Sequence, residues 1–97
     1  MRIQEVMWHE LERMVRENPV APLRVGATDD PNRRAGEYSR IYSEAATMYF
    51  AGTSNMNLAE NVLLATGRAR GGCRDNTQQY SNMAESPGYV YSIFVPR

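Results

Sequence analysis

The chain has 97 residues, 42% of them hydrophobic, with 11 basic side chains balancing 11 acidic ones. That length and balance suit one folded domain with one core and exclude a disordered, strongly charged chain. No apolar run approaches the ~20 residues that cross a bilayer. Cys73, the single cysteine, permits neither an internal disulfide framework nor a cysteine-cluster zinc site. The charged start Met1-Arg2-Ile3-Gln4-Glu5 lacks a secretory apolar run, so a cytoplasmic, reduced protein is expected. All 11 basic residues are arginine. A GC-rich genome accounts for that bias, and so does a need for guanidinium forks that grip phosphate in a bidentate way. Zero net charge argues against bulk electrostatic coating of duplex DNA. Residues 21–74 hold seven arginines against five acids, so an anion site should be local and lie in the middle of the chain.

In chain order, residues 2–17 read as an added N-terminal helix. Ile3, Val6, Met7, Leu11, Met14 and Val15 recur at three- and four-residue steps, and Asn18-Pro19 stops the pattern. Leu23–Ala27 alternates like a short strand. Thr28-Asp29-Asp30-Pro31 turns into a helix with Asp30 as N-cap and Pro31 in its first position, predicted to reach about Ile41. Thr47–Ala51, bounded by Gly52, reads as a second strand. A third helix opens between Ser54 and Asn57, with Leu58, Val62 and Ala65 as its buried stripe, joined by Leu63, and Gly67 as its end. Arg68–Arg74 reads as a flexible basic loop that exposes the Cys73 thiol, and Asp75–Met83 shows no period. Tyr89–Val95, between Pro87-Gly88 and Pro96, is the strongest strand signal. The expected fold is α+β, residues 1–97 forming one domain with a small three-stranded sheet flanked by about three helices.

Arg24-Val25-Gly26-Ala27-Thr28-Asp29-Asp30-Pro31 leads to Arg34, eight residues after Gly26, and to Tyr38 four later. This segment resembles the second half of the signature of the GIY-YIG endonuclease superfamily. Residues four apart share a helix face, which puts Arg34 and Tyr38 together; a plain strand-turn-helix with a solvated Arg33-Arg34 pair is the structural alternative. Thr47–Leu64 is similar to the family's third strand and following helix, with Glu60 where its metal-binding glutamate stands. Two roles suit Glu60: ligand of a divalent cation, or third residue of a capping box opened by Asn57. The family's opening strand is missing from the N-terminal side, but Gly88-Tyr89-Val90-Tyr91-Ser92-Ile93 resembles it, which implies a circular permutation. Tyr89 and Tyr91 also suit a strand simply as sheet aromatics. The chain departs from the family pattern at Arg24, where a tyrosine is usual, and at Tyr38, where histidine is commoner.

The resemblance implies a Mg²⁺-dependent (or other divalent-cation-dependent) hydrolase, a nuclease cutting DNA phosphodiesters. Tyr91, Arg34, Tyr38 and Arg24 would be its catalytic residues, and Glu60 its metal ligand. Arg34 and Arg24 would bind phosphate, and Arg68 and Arg70 of the basic loop are further candidates for that role. The alternatives are an inactive nucleic-acid or anion-binding module of the same fold, and a small structural protein dimerising through the N-terminal helix, with Leu11 and Met14 at the contact. His9, the only histidine, is expected on the surface.

If the resemblance holds, two geometric conditions follow. The Tyr91 strand must pair with the Val25 strand, and Arg34, Tyr38, Tyr91 and Glu60 must converge.

Overall fold

The computed structural model describes residues 1–96. Its elements are β1 (Arg2–Glu5), α1 (Trp8–Glu17), β2 (Arg24–Thr28), α2 (Pro31–Tyr38), β3 (Thr47–Thr53), α3 (Met56–Ala69) and β4 (Gly88–Phe94). The fold is α+β with three helices, but the sheet has four strands rather than three, in the order β1-β3-β4-β2. The extra strand comes from the segment expected to open the N-terminal helix. Residues 2–5 pair in parallel with β3, Ile3 opposite Met48 and Glu5 opposite Phe50, and α1 begins only at Trp8. Ile3, Val6 and Met7 fit a helical wheel, yet a strand partner arriving from residue 47 onward satisfies their backbone groups better than an uncapped helix start would. Met7 at the N-cap makes no side-chain hydrogen bond.

β4 is an inner strand, antiparallel to β3 on one side and to β2 on the other, with Val25 opposite Ser92 and Gly26 opposite Tyr91. The alternation along β4 sorts its residues as the sequence predicts. Val90 and Phe94 pack with Val25, Ala51, Leu11, Val15, Ala59, Leu63 and Leu64, between the sheet and α1 with α3. Tyr91 and Ile93 pack on the opposite face with Met48, Tyr38, Tyr42 and Ala46. Leu11 is wholly buried in its own core, and Met14 packs partly buried against it. His9 is exposed.

Three expectations about α3 and its sequel are corrected. The buried stripe is Met56, Ala59, Glu60, Leu63, Leu64 and Gly67, while Leu58 is 60% exposed. Both stripes obey helical spacing, and the side on which the sheet lies decides between them. Past Gly67 the helix continues to Ala69, and Cys73 is 2% exposed, with burial pushing its thiol pKa up. Cys73 adopts φ 59° and packs so near Gly67 that a Cβ there would meet its sulfur at 2.5 Å. A buried, protonated thiol is a packing residue and a poor nucleophile. No helix among the described residues is long and apolar enough to cross a membrane.

Candidate active site

The cleft lies at the β2 edge of the sheet, where elements from both faces come within reach of one another. Its volume is about 230 Å³, and its lining includes Arg24 and Gly26 of β2, Arg34 and Tyr38 of α2, Glu60 of α3 and Tyr91 of β4. Each side chain arrives there for a local reason. The Asp30 carboxylate accepts from Arg33 N at 3.1 Å and Pro31 opens α2, so the helix starts where the sequence predicts. Arg34 and Tyr38 then sit one turn apart on the side facing β2. Tyr91 projects from β4 across Gly26, and a Cβ at residue 26 would come within 2.2 Å of the Tyr91 hydroxyl oxygen. Gly26 is therefore required by the neighbouring phenol.

The tyrosines and Arg24 form a hydrogen-bonded cluster. The Tyr38 and Tyr91 hydroxyls are 2.8 Å apart. Arg24 donates from Nε to the Tyr42 hydroxyl at 3.1 Å and from Nη1 to the Tyr38 hydroxyl at 3.5 Å, with its guanidinium 5.0 Å from the Tyr38 ring centroid. Tyr42 donates to Asp75 at 2.6 Å. Burial, then the bond to Tyr38, pushes the Tyr91 phenol far above its ordinary value, against the opposing influence of Arg34. Tyr91 is thus a neutral phenol at any physiological pH. It can orient a water or donate to an oxygen, but it does not offer a phenolate base.

Arg34 bonds Glu37 from Nη1 at 3.5 Å, while its Nε is buried with no protein partner. Glu60 is 4% exposed. With Asn55, not Asn57, as N-cap accepting from Leu58 N at 3.0 Å, Glu60 falls beyond the first turn and the capping-box role is removed. Burial pushes its carboxyl pKa up, while Ser81, Gln78 and Arg34 pull the other way; Gln78 Nε2 lies 3.5 Å from Oε2. Among the described residues no three His, Cys, Asp or Glu side chains cluster as a ready metal cage, and Glu60 is the one carboxylate lining the cleft. A single carboxylate suits Mg²⁺, which keeps most of its waters and takes further ligands from phosphate. The donor set fits such an ion.

Arg68 and Arg70 stand elsewhere. Arg68 donates to the carbonyls of Gln78 and Gln79, and Arg70 to those of Val15 and Asn18 at the end of α1. Both guanidiniums act as clamps on main-chain oxygens, and neither lines the cleft. Sequence reasoning missed Asn76, Gln78, Asn82 and Met83 in the lining, as well as Tyr42 and Asp75 behind it. The only sign of these residues in the sequence is the density of amides between Asp75 and Asn82. Compared with protein-family models, with curated proteins and with solved structures, the chain matches none.

Proposed function

We propose that the cleft binds a DNA phosphodiester and hydrolyses it with a divalent cation, in the manner of a permuted GIY-YIG endonuclease. The observation that carries this reading is the convergence of Arg24, Arg34, Tyr38, Glu60 and Tyr91 on one cleft from β2, α2, α3 and β4. The strand order supports it too, since β4 lies between β2 and β3 as an opening strand moved to the end of the chain would.

In this reading Arg34 donates to a non-bridging phosphate oxygen, its buried Nε gaining the acceptor it lacks. Arg24 meets the same phosphate from the other side. Charge that grows on the phosphoryl oxygens is stabilised by donors already held in place, which requires no reorganisation at the moment of reaction. Tyr91 positions the attacking water as a neutral phenol. As the water oxygen bonds phosphorus and the bond to the leaving oxygen breaks, the water's proton passes to solvent and the leaving oxygen takes one from solvent. Glu60 holds the cation, which when bound supplies Lewis-acid stabilisation of the leaving oxygen.

The test is a Mg²⁺-dependent nicking or cleavage assay on DNA. Activity is expected from the native chain and its loss in Glu60→Ala; undiminished cleavage by that variant would remove the metal assignment. A second reading, a binding module without hydrolysis, is favoured by one observation: the Tyr91 side chain is 3% exposed and its hydroxyl is held by another phenol, Tyr38, not by a base. Salt-dependent DNA binding that needs no metal, with no cleavage in any metal, selects that reading.

A further inference from the structure

The cluster behind the cleft has a direction that its chemistry dictates. A carboxylate only accepts, so Tyr42 must donate to Asp75, across 2.6 Å. The Tyr42 oxygen is thereby left to accept from Arg24 Nε at 3.1 Å. Arginine only donates, so Tyr38 accepts from Arg24 Nη1. The Tyr38 and Tyr91 hydroxyls share one hydrogen bond across 2.8 Å, in which either can be the donor. Both side chains line the cleft, so the hydroxyl that accepts has its own proton to offer there. No ion pair joins Asp75 to Arg24 directly among the described residues. The intervening Tyr42 hydroxyl steers the guanidinium from its Nε edge, while Nη1 reaches Tyr38.

We propose that Asp75, acting through Tyr42, is a positioning residue of this cleft: it sets the Arg24 guanidinium over Tyr38 so that Arg24 donates to the bound phosphodiester. The inference rests on the phosphodiester reading of the site. Asp75 touches neither substrate nor metal. It contributes by orienting Arg24, which does, and it ties the loop that follows α3 into the site.

The experiment uses the full chain, the Arg24 Nε–H resonance in ¹⁵N–¹H spectra, and a short DNA duplex as probe in the presence of a chelator. In the native chain this proton should be protected from exchange and should shift as duplex is added. Tyr42→Phe and Asp75→Ala should abolish the protection, weaken duplex binding about tenfold and lower kcat of Mg²⁺-dependent cleavage with the remaining spectrum folded. Asp75→Asn, which keeps an acceptor oxygen, should restore most of all three. Protection that survives in Tyr42→Phe overturns the proposal. So does lost protection with duplex affinity and kcat at native levels. A native chain that binds duplex through Arg24 but never cleaves it sinks hydrolysis, while the binding measurements still uphold the positioning role. A native chain that does not bind duplex at all overturns both.

Discussion

Tyr91 lies over Gly26 so closely that no other residue fits beneath it. Gly26→Ala puts a methyl where the phenol oxygen stands, and forcing an extra carbon into a packed site costs about 1–3 kcal/mol. Urea denaturation should show a loss in that range, together with weakened DNA binding, because the displaced hydroxyl can no longer reach Tyr38. Glu60 carries a different cost. Its carboxyl pKa is raised in the fold, so between the ordinary value of 4.5 and the raised one the folded chain holds more proton than the unfolded chain. Stability therefore falls as pH rises through that window. Glu60→Gln should flatten this dependence and raise the thermal midpoint of the metal-free protein at neutral pH. Added Mg²⁺ should raise the midpoint of the native chain and leave that of Glu60→Gln unmoved, as binding to the folded state alone requires. Equal shifts in both proteins would place the ion somewhere other than Glu60.

The loop between α3 and β4 shows why a segment without periodicity can still be well determined. Its hydrogen bonds go to side chains and to edges, not to a ladder of its own. The Asn76 amide accepts from Val25 N at 2.9 Å and donates to Val25 O at 2.8 Å, standing in for a fifth strand along the outer edge of β2. The Asn57 amide donates to the carbonyls of Ser81 and Met83, and Asn61 accepts from Ser81 N. Asn57 thus looks like a cap in the sequence because it is an asparagine near a helix start, while its side chain serves the loop. Asn76→Ala should cost about 1–3 kcal/mol, the range for leaving buried polar groups unpaired. Hydrogen exchange at the Val25 amide is the local readout, and slow exchange there in the variant would show that Asn76 does not hold the edge. The strand β1 leaves no signal in the sequence for a related reason: a four-residue edge strand has no pattern of its own apart from its partner.

Taken as a molecule, the chain brings the end of β4 and the start of β1 to the same end of the sheet, since Phe94 and Arg2 flank Thr47 on its two sides. Two strand spacings, about 9.6 Å, separate those positions. A short Gly/Ser linker joining the chain's two ends, with a new opening between Gln79 and Tyr80, should therefore give a folded protein that carries β4 ahead of β2. Tyr80 is 70% exposed, and exposed loop tips tolerate such openings best. A cooperative thermal transition and a native-like spectrum are expected. A permutant without cooperative melting would show that the order of strands, and not only their neighbourhood, is needed for this sheet.

The features readable along the chain are those whose cause is local. Asp30 and Pro31 start α2 because a cap and a preset φ act within one turn. β4 reads as a nearly unbroken apolar and aromatic run because it is buried on both faces. Arg34 and Tyr38 share a side because a helix repeats every 3.6 residues. What lay beyond the sequence depends on partners distant in it. Whether residues 2–5 extend as a strand is decided by β3, and which stripe of α3 is buried is decided by where the sheet lies. Whether Arg68 and Arg70 meet solvent or the carbonyls of Gln78 and Val15 is decided by how the loop and α1 pack. Glu60 faces the cleft rather than capping its helix because Asn55, two residues before Asn57, takes the first free N–H groups. Asp75 and Tyr42 meet across 33 residues. A pairing of that kind leaves no trace in spacing or composition, because only the closure of the sheet brings its two halves within hydrogen-bond reach.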